Sequence, residues 1–411
     1  MHAIFLVIFM KGILNKSFII LLHRDNNTME PKIRFKGFEG EWQECSFRDI
    51  LKVNSGKDYK HLENGIIPVY GTGGYMLSVN ESLSDIDAIG IGRKGTIDKP
   101  QYLKAPFWTV DTLFFLTTKN NDNLDFLYNL SQNIKWKKYD ESTGVPSLSK
   151  NNIDKIETHI PYIAEQQAIA SYFASLDSQI SASTSRLASL KQIKAASLQA
   201  MFPQEGETMP KVRFKGFEEE WKKTKYSSLA TIRRGLTYKP ENIVSKGIRV
   251  LRSSNIEEDT FLRSKEDVFV HPSCINIPLA KDGDILITAA NGSPRLVGKH
   301  AVINNLNEDK VVPGGFMILA SSKEPYFLNS CMGAPWYKTF LKSGVAGGNG
   351  AIGNLNKNAL EEYEFYIPSN KLERDKLASY FTNLDHQISL HAKRLEKLKH
   401  IKDACLEKMF V

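Results

Sequence analysis

Cysteine is scarce: Cys45, Cys274, Cys331 and Cys405 are the four in 411 residues, and no two lie near each other in sequence. Without a C-x-x-C pair, a disulfide scaffold and a zinc knuckle are both excluded, and the chain reads as a reduced, cytoplasmic protein. Long apolar runs are also missing. Residues 3–10 (AIFLVIFM) and 18–22 (FIILL) are interrupted by Lys11 and Lys16, and neither reaches the ~18–20 residues of a spanning helix. No basic stretch precedes them and no small-residue cleavage site follows Leu22, so a secretory leader is a poor reading and no membrane partner is expected.

Signatures of catalysis are absent as well. There is no G-x-x-x-x-G-K-[ST] phosphate loop, no H-E-x-x-H, no G-x-S-x-G elbow and no Asn/Asp-Pro-Pro-aromatic run. Gly71-Thr72-Gly73-Gly74 and Gly90-Ile91-Gly92-Arg93 are glycine-rich without matching a nucleotide fingerprint, and the nine histidines show no ligand spacing. The acidic pairs Asp85/Asp87 and Asp282/Asp284 stand in turn-like contexts. These absences favour a binding protein over an enzyme, with no metal or cofactor of its own.

The remaining composition is that of an ordered chain of two or three domains: 42% hydrophobic, 10% aromatic, 24% charged. The formal charge of +8 permits a polyanionic partner. It is uneven, with residues 31–161 neutral and residues 210–368 at +5.

Two internal repeats organise the sequence. Residues 32–42 (KIRFKGFEGEW) match 211–221 (KVRFKGFEEEW) at nine of eleven positions. Residues 171–202 match 379–410 without gaps at 18 of 32. The stretches between, about 43–150 and 222–357, look little alike until their ends, where 143–151 resembles 349–357 and each runs on to Ile-Pro (Ile160-Pro161, Ile367-Pro368). The plan is a frame, a middle, a helix, and the same again. The pattern begins at about Met29, so residues 1–29 read as an upstream extension outside the fold, with a mis-assigned start or an amphipathic anchor as the two explanations.

The long repeats read as helices. Leu176, Ile180, Leu187, Leu190, Ile193 and Met201 recur at three- and four-residue steps with a few longer gaps, as do Leu384, Ile388, Leu395, Leu398, Ile401 and Met409. Pro161 and Pro368 precede them, and Pro203 and Gly206 stop the first. A helix over about 168–200 is roughly 50 Å long, and its stripe asks for a partner: the other copy, as an antiparallel coiled coil. Within the middles, Ala88–Ile91, Thr112–Leu116, Asp284–Ile287 and Phe316–Leu319 read as strands, and 123–139 and 325–342 as single helices. The expected fold class is mixed α/β (α+β): two α/β domains at 30–160 and 210–367, with repeat helices in 161–209 and 368–411 related by a pseudo-two-fold repeat.

These residues resemble the specificity subunit of Type I restriction–modification enzymes. The likeness rests on the doubled K-x-R-F-K-G-F-x-x-x-W opening, Pro161 followed by Glu165-Gln166-Gln167-Ala168-Ile169-Ala170-Ser171, the repeated Leu-Asp-x-Gln-Ile-Ser (176–181 and 384–389) and Gly92-Arg93-Lys94-Gly95-Thr96, and it covers about 30–411. The second copy departs from it, with Glu373-Arg374-Asp375-Lys376-Leu377-Ala378 in place of the E-Q-x-x-I-A wording. The resemblance implies two target recognition domains, each reading one half of a split site on double-stranded DNA. It implies paired helices that set the spacing and dock two modification (methyltransferase) subunits, with restriction (motor-nuclease) subunits joining for cleavage. S-adenosylmethionine, ATP and Mg would then belong to those partners. A protein–protein adaptor that never touches DNA is the competing reading, and an unrecognised self-contained DNA enzyme is a third.

Residue types that suit phosphates and base edges single out loop residues. In the first middle they are Lys57, Tyr59, Lys60, Tyr70, Thr72, Tyr75, Arg93, Lys94, Ser142 and Thr143. In the second they are Arg233, Arg234, Tyr238, Lys239, Arg252, Asn255, Asn291, Ser293, Arg295 and Asn349. Turns and solvated charges are the plain alternatives. The KxRFKGF segments and Tyr172-Phe173 with Tyr380-Phe381 suit framework and packing better than contact with DNA. Partner-binding candidates on the helices are Glu165 and Gln166, which either cap the helix or touch a partner, with Leu187, Leu190, Leu395 and Leu398.

Overall fold

A computed structural model of the chain describes residues 18–19, 30–346 and 353–411. The chain divides into two compact units, residues 1–183 with 394–411, and residues 184–393. The sequence places boundaries at the ends of the repeat helices, whereas this division falls inside them. Each helix buries one part of its apolar stripe in one unit and the remainder in the other.

Both long helices are continuous, Ile163–Ala200 and Lys371–Lys408, about 57 Å each at the standard rise. The first starts five residues earlier than its apolar period suggests, directly after Pro161. In each unit the two helices pack antiparallel. In the first unit Lys402 Nζ lies 2.6 Å from Asp177, and the Tyr172 hydroxyl 3.5 Å from Cys405 Sγ. In the second, Lys194 pairs with Asp385 at 2.5 Å and Ser197 meets the Tyr380 hydroxyl at 2.9 Å. Ile193, assigned to the stripe by its spacing, is exposed.

The repeated opening is framework. Arg34 is buried and forks onto Glu165 with two 2.8 Å hydrogen bonds. Arg213 does the same to Glu373 at 2.9 and 2.7 Å. Trp42 packs on Phe126 and Phe410, and Trp221 on Phe202. Two short ladders, Gln43–Ser46 with Glu157–Ile160 and Trp221–Lys225 with Glu364–Pro368, hold each opening beside the start of its helix. Phe18–Ile19 of the upstream stretch pair with Arg34–Phe35.

The two middles, unlike in sequence, share one topology. In the first, the antiparallel sheet runs Leu51–Ser55, Leu113–Thr118, Ala88–Gly92, Gln101–Leu103. In the second the antiparallel part runs Ala230–Arg234, Met317–Ser322, Ile285–Thr288, His300–Val302, and Thr260–Phe261, parallel to the last of these, continues it with its antiparallel neighbour Ile256–Glu257. A smaller sheet holds one parallel pair in each: Asn64–Gly71 with Trp108–Thr109, and Ile248–Leu251 with Val311–Pro313. Buried apolar strands explain the cores: all of Ala88–Gly92 and Ile285–Thr288 is buried. The segments read as single helices are each two pieces, Leu124–Asn133 with Trp136–Tyr139, and Pro325–Met332 with Pro335–Gly344. Pro335 ends the earlier helix because the residue before a proline avoids helical geometry.

Among the described residues no helix is long and apolar enough to cross a membrane. None of the four cysteines is in a disulfide.

Candidate nucleic-acid interface

A shared close approach positions the reading loops. After the first strand of each middle stands a glycine, Gly56 or Gly235. A Cβ there would lie 2.0 Å from the Val110 carbonyl oxygen or 1.9 Å from that of Gly314. Each glycine N–H donates across the turn, to Leu113 O at 3.2 Å and Met317 O at 3.0 Å. The loop leaving the first strand is thereby sewn to the turn entering the second.

In the first unit that seam carries Lys57. Its N–H donates to Thr109 O, and its carbonyl accepts from Trp108 Nε1, both at 2.9 Å. Lys57 and Lys60 side chains are exposed, while Tyr59 is half-buried against the small core around Val69 and Trp108. Tyr70 and Tyr75 meet edge to face at 6.4 Å, with Tyr75 63% exposed. Gln101 Nε2 donates to the carbonyls of Gly71 and Thr72, holding that hairpin tip.

Arg93 and Lys94 are exposed. The backbone N–H of each donates to Thr112 O, and the Arg93 guanidinium sits 5.7 Å from the Phe114 ring. Hydrogen bonds from Gly95 N to Pro146 O and from Leu148 N to Arg93 O lay the 141–148 stretch beside them. Asp140 anchors that stretch. The N–H groups of Ser147 and Ser142 hold its carboxyl below the usual carboxylate range. Ser142 is half-buried and Thr143 exposed.

In the second unit, Tyr238, Arg252 and Asn291 line one cavity together with Phe316. Phe316 is 66% exposed and was not among the residues singled out from sequence. Arg234, Lys239 and Ser293 are exposed, Lys239 lying 3.8 Å from Glu241. Arg295 is exposed on a different cavity, beside Lys191 and Lys299. Asn349 lies outside the described residues.

Several candidates are consumed by the fold. Asn255 is fully buried, accepting from Arg252 N at 2.7 Å and donating to Leu262 O and Asp267 at 3.0 and 2.8 Å, so it cannot face a groove. Arg233 donates to the carbonyls of Pro278 and Leu279 and lies 3.6 Å from the buried Asp284. Glu165 and Gln166 are buried. Glu165 holds Arg34, and Gln166 bonds Asn123 N, Asp122 and Pro161 O, each at 2.9 Å. Leu190 and Leu398 are buried and Leu187 and Leu395 half-buried, so these leucines serve the chain's own cores before any partner.

The comparisons with known proteins fit this geometry. The model of the family described as "Type I restriction modification DNA specificity domain" matches residues 39–192 and 218–400, once per unit of the repeat. The chain belongs to that family. It is 22% identical over 286 residues, 65% of its length, to the Type I restriction enzyme EcoKI specificity subunit of Escherichia coli K12, and the match spans 60% of that protein. Among solved structures, the S subunit of a Type-I restriction-modification system from M. genitalium superposes with a TM-score of 0.68. That superposition covers 93% of this chain and 99% of the other, at 14% identity. A chain from a structure on complex assembly and conformational transition of the type I R-M system gives 0.50, covering 90% of this chain and 97% of that one at 13% identity. The two matches of the family model fall one on each copy of the repeated plan.

Proposed function

We propose that this protein is the DNA sequence-specificity subunit of a Type I restriction–modification complex. Each unit reads one half of an asymmetric, bipartite site on double-stranded DNA, and the paired helices set the spacer and dock two modification subunits. The observation that carries the reading is one sheet topology presented twice with different loop chemistry. The first unit offers Lys57, Lys60, Tyr75, Arg93, Lys94 and Thr143, and the second Arg234, Tyr238, Lys239, Arg252 and Ser293. Rigid strands with exposed loops are the usual reading surface. A half-site contacted by Arg, Lys, Ser and Thr is held by phosphate contacts and specified by base edges. On this reading the chain is non-catalytic, and S-adenosylmethionine, ATP and Mg act on the partner subunits. Restriction subunits complete the nuclease.

The test is a methylation map. The chain is co-expressed with the modification subunit encoded beside it in a methylation-free host, whose genome is then sequenced with a base-modification readout. A split motif with two unlike halves and a fixed gap is expected. A partner that binds the chain while no motif is methylated favours a protein–protein adaptor instead.

A further inference from the structure

Phe316 occupies a turn whose backbone is fixed on three sides. Gly314 N donates to Leu251 O and Met317 N to Gly314 O, both at 2.8 Å, and the Phe316 carbonyl accepts from both Ala289 N and Ala290 N at 2.9 and 3.0 Å. Two glycines, Gly314 and Gly315, precede it. A Cβ on Gly315 would come within 3.3 Å of Leu236 O and Thr237 Oγ1. From this rigid base the phenyl ring projects, 66% exposed, beside the half-exposed Ile243 and Tyr238. Arg252 stands on the rim, and the Asn291 amide is held by Ser253 Oγ and Ser293 N at 3.2 and 2.9 Å.

The first unit builds the same turn without the ring. Val110 N donates to Tyr70 O and Leu113 N to Val110 O, and the carbonyl that accepts from Arg93 N and Lys94 N belongs to Thr112, a half-buried residue. The two turns are equivalent hydrogen bond for hydrogen bond. At the position of the accepting carbonyl one carries a threonine and the other an exposed aromatic, and Val110-Asp111 stands where the second unit has Gly314-Gly315.

On a duplex, the edges that the major groove presents are polar apart from one group, the 5-methyl of thymine. An apolar side chain held rigidly among polar reading loops therefore has one favourable partner there, unless the duplex is unstacked to receive it. Resting on the reading of the second unit as a half-site reader, we propose that Phe316 contacts a thymine 5-methyl group in the half-site of that unit, and so helps to set which base pair is accepted there. Because the backbone is already fixed, little order has to be imposed on binding.

The experiment uses the full chain with its modification subunits, on duplexes carrying the mapped motif. Each thymine in the half-site of the second unit is replaced in turn by deoxyuridine, which lacks that methyl alone. At one position the replacement is expected to weaken binding roughly tenfold, the scale of one methyl in an apolar contact. Phe316→Ala weakens binding to the thymine duplex by a similar factor and no longer distinguishes the two. Phe316→Leu keeps the discrimination, and neither change alters sensitivity to the other half-site. The inference is overturned if no thymine is sensitive, if Phe316→Ala still discriminates, or if that half-site contains no thymine on either strand. A complex that prefers no sequence at all removes the DNA-reading function, and this inference with it.

Discussion

The two units solve one packing problem with different residues. Where the first helix begins, Gln166 joins Asn123, Asp122 and the Pro161 carbonyl. At the same place in the second copy stands Arg374, which forks onto Glu324 at 2.8 and 3.1 Å and also donates to the Pro368 carbonyl. An uncharged amide bridging polar groups has become a cation facing a carboxylate, and the helix start is unchanged. Where the helices meet, Lys402 in the first unit has Asp177, whose side chain is 46% exposed. Its counterpart Lys194 is shared by Asp385 and by Asp259, the latter on the Glu258–Asp259 turn where both residues have positive φ. The turn belongs to the two added strands of the second middle. The lesson is that the frame tolerates a change of partner chemistry so long as each buried polar group is satisfied, which frees the middles to diverge.

The deepest similarity is the easiest to break. Arg34→Leu strands the nearly buried Glu165, and Arg213→Leu strands Glu373. Removing one member of a buried pair costs about 3–5 kcal/mol. Urea unfolding is expected to show a loss of that size in the unit concerned. The Arg213 variant sits at the lower end, because its side chain is 13% exposed against 6% for Arg34. Equal, negligible losses would mean these forks are incidental.

Gly56→Ala and Gly235→Ala test whether the reading seams are equivalent. Each Cβ would collide with a backbone carbonyl, which cannot move aside as a flexible side chain can. Overpacking of this kind costs about 3 kcal/mol. Both variants should lose stability together, and tolerance of one alone would break the equivalence of the two turns.

The contacts between the long helices differ from one unit to the other. Lys194→Met leaves two carboxylates facing each other and should cost about 2 kcal/mol, discounted from the buried-pair value because Asp259 is 35% exposed. Lys402→Met, at a more open pair, should cost under ~1 kcal/mol. The carboxylates on Lys194 titrate in opposite senses. Burial raises Asp385 and its attraction to Lys194 does not compensate, so its folded value lies above the ordinary one. Burial also acts on Asp259, but His300 and Lys194 outweigh it and its value is lowered. A raised carboxyl contributes stability at low pH that is lost as pH rises through its folded value. A lowered one contributes stability above its ordinary value that is lost on acidification. Asp259→Asn should therefore destabilise at neutral pH and matter little in acid, while Asp385→Asn should matter little in acid and be neutral to stabilising at neutral pH. Parallel pH profiles for the two variants would contradict the assignment.

Much of this was legible in the sequence. The repeats located the frame, the helices and their pairing, because nine identities in eleven and 18 in 32 leave little room for chance. Strands such as Ala88–Gly92 showed through as short apolar runs between turn residues. The common topology of the middles did not show, since it resides in backbone hydrogen bonds that many side chains satisfy. Nor could residue type separate Arg234, exposed, from Arg233, locked on carbonyls, or reveal that Asn255 is spent on Asp267. Phe316 was hidden by reading it as the first residue of a buried strand. The Gly314-Gly315 pair just before it was the available sign that the chain turns there and that the ring need not face inward.

Exchange of one middle tests the central claim most directly. The second middle, residues 222–357, is replaced by an unrelated middle from another member of the family, and the methylated motif is mapped before and after. The account predicts that one half of the motif changes while the other half and the gap stay as they were. A motif that changes in both halves, or a single continuous motif in the unaltered protein, would contradict it.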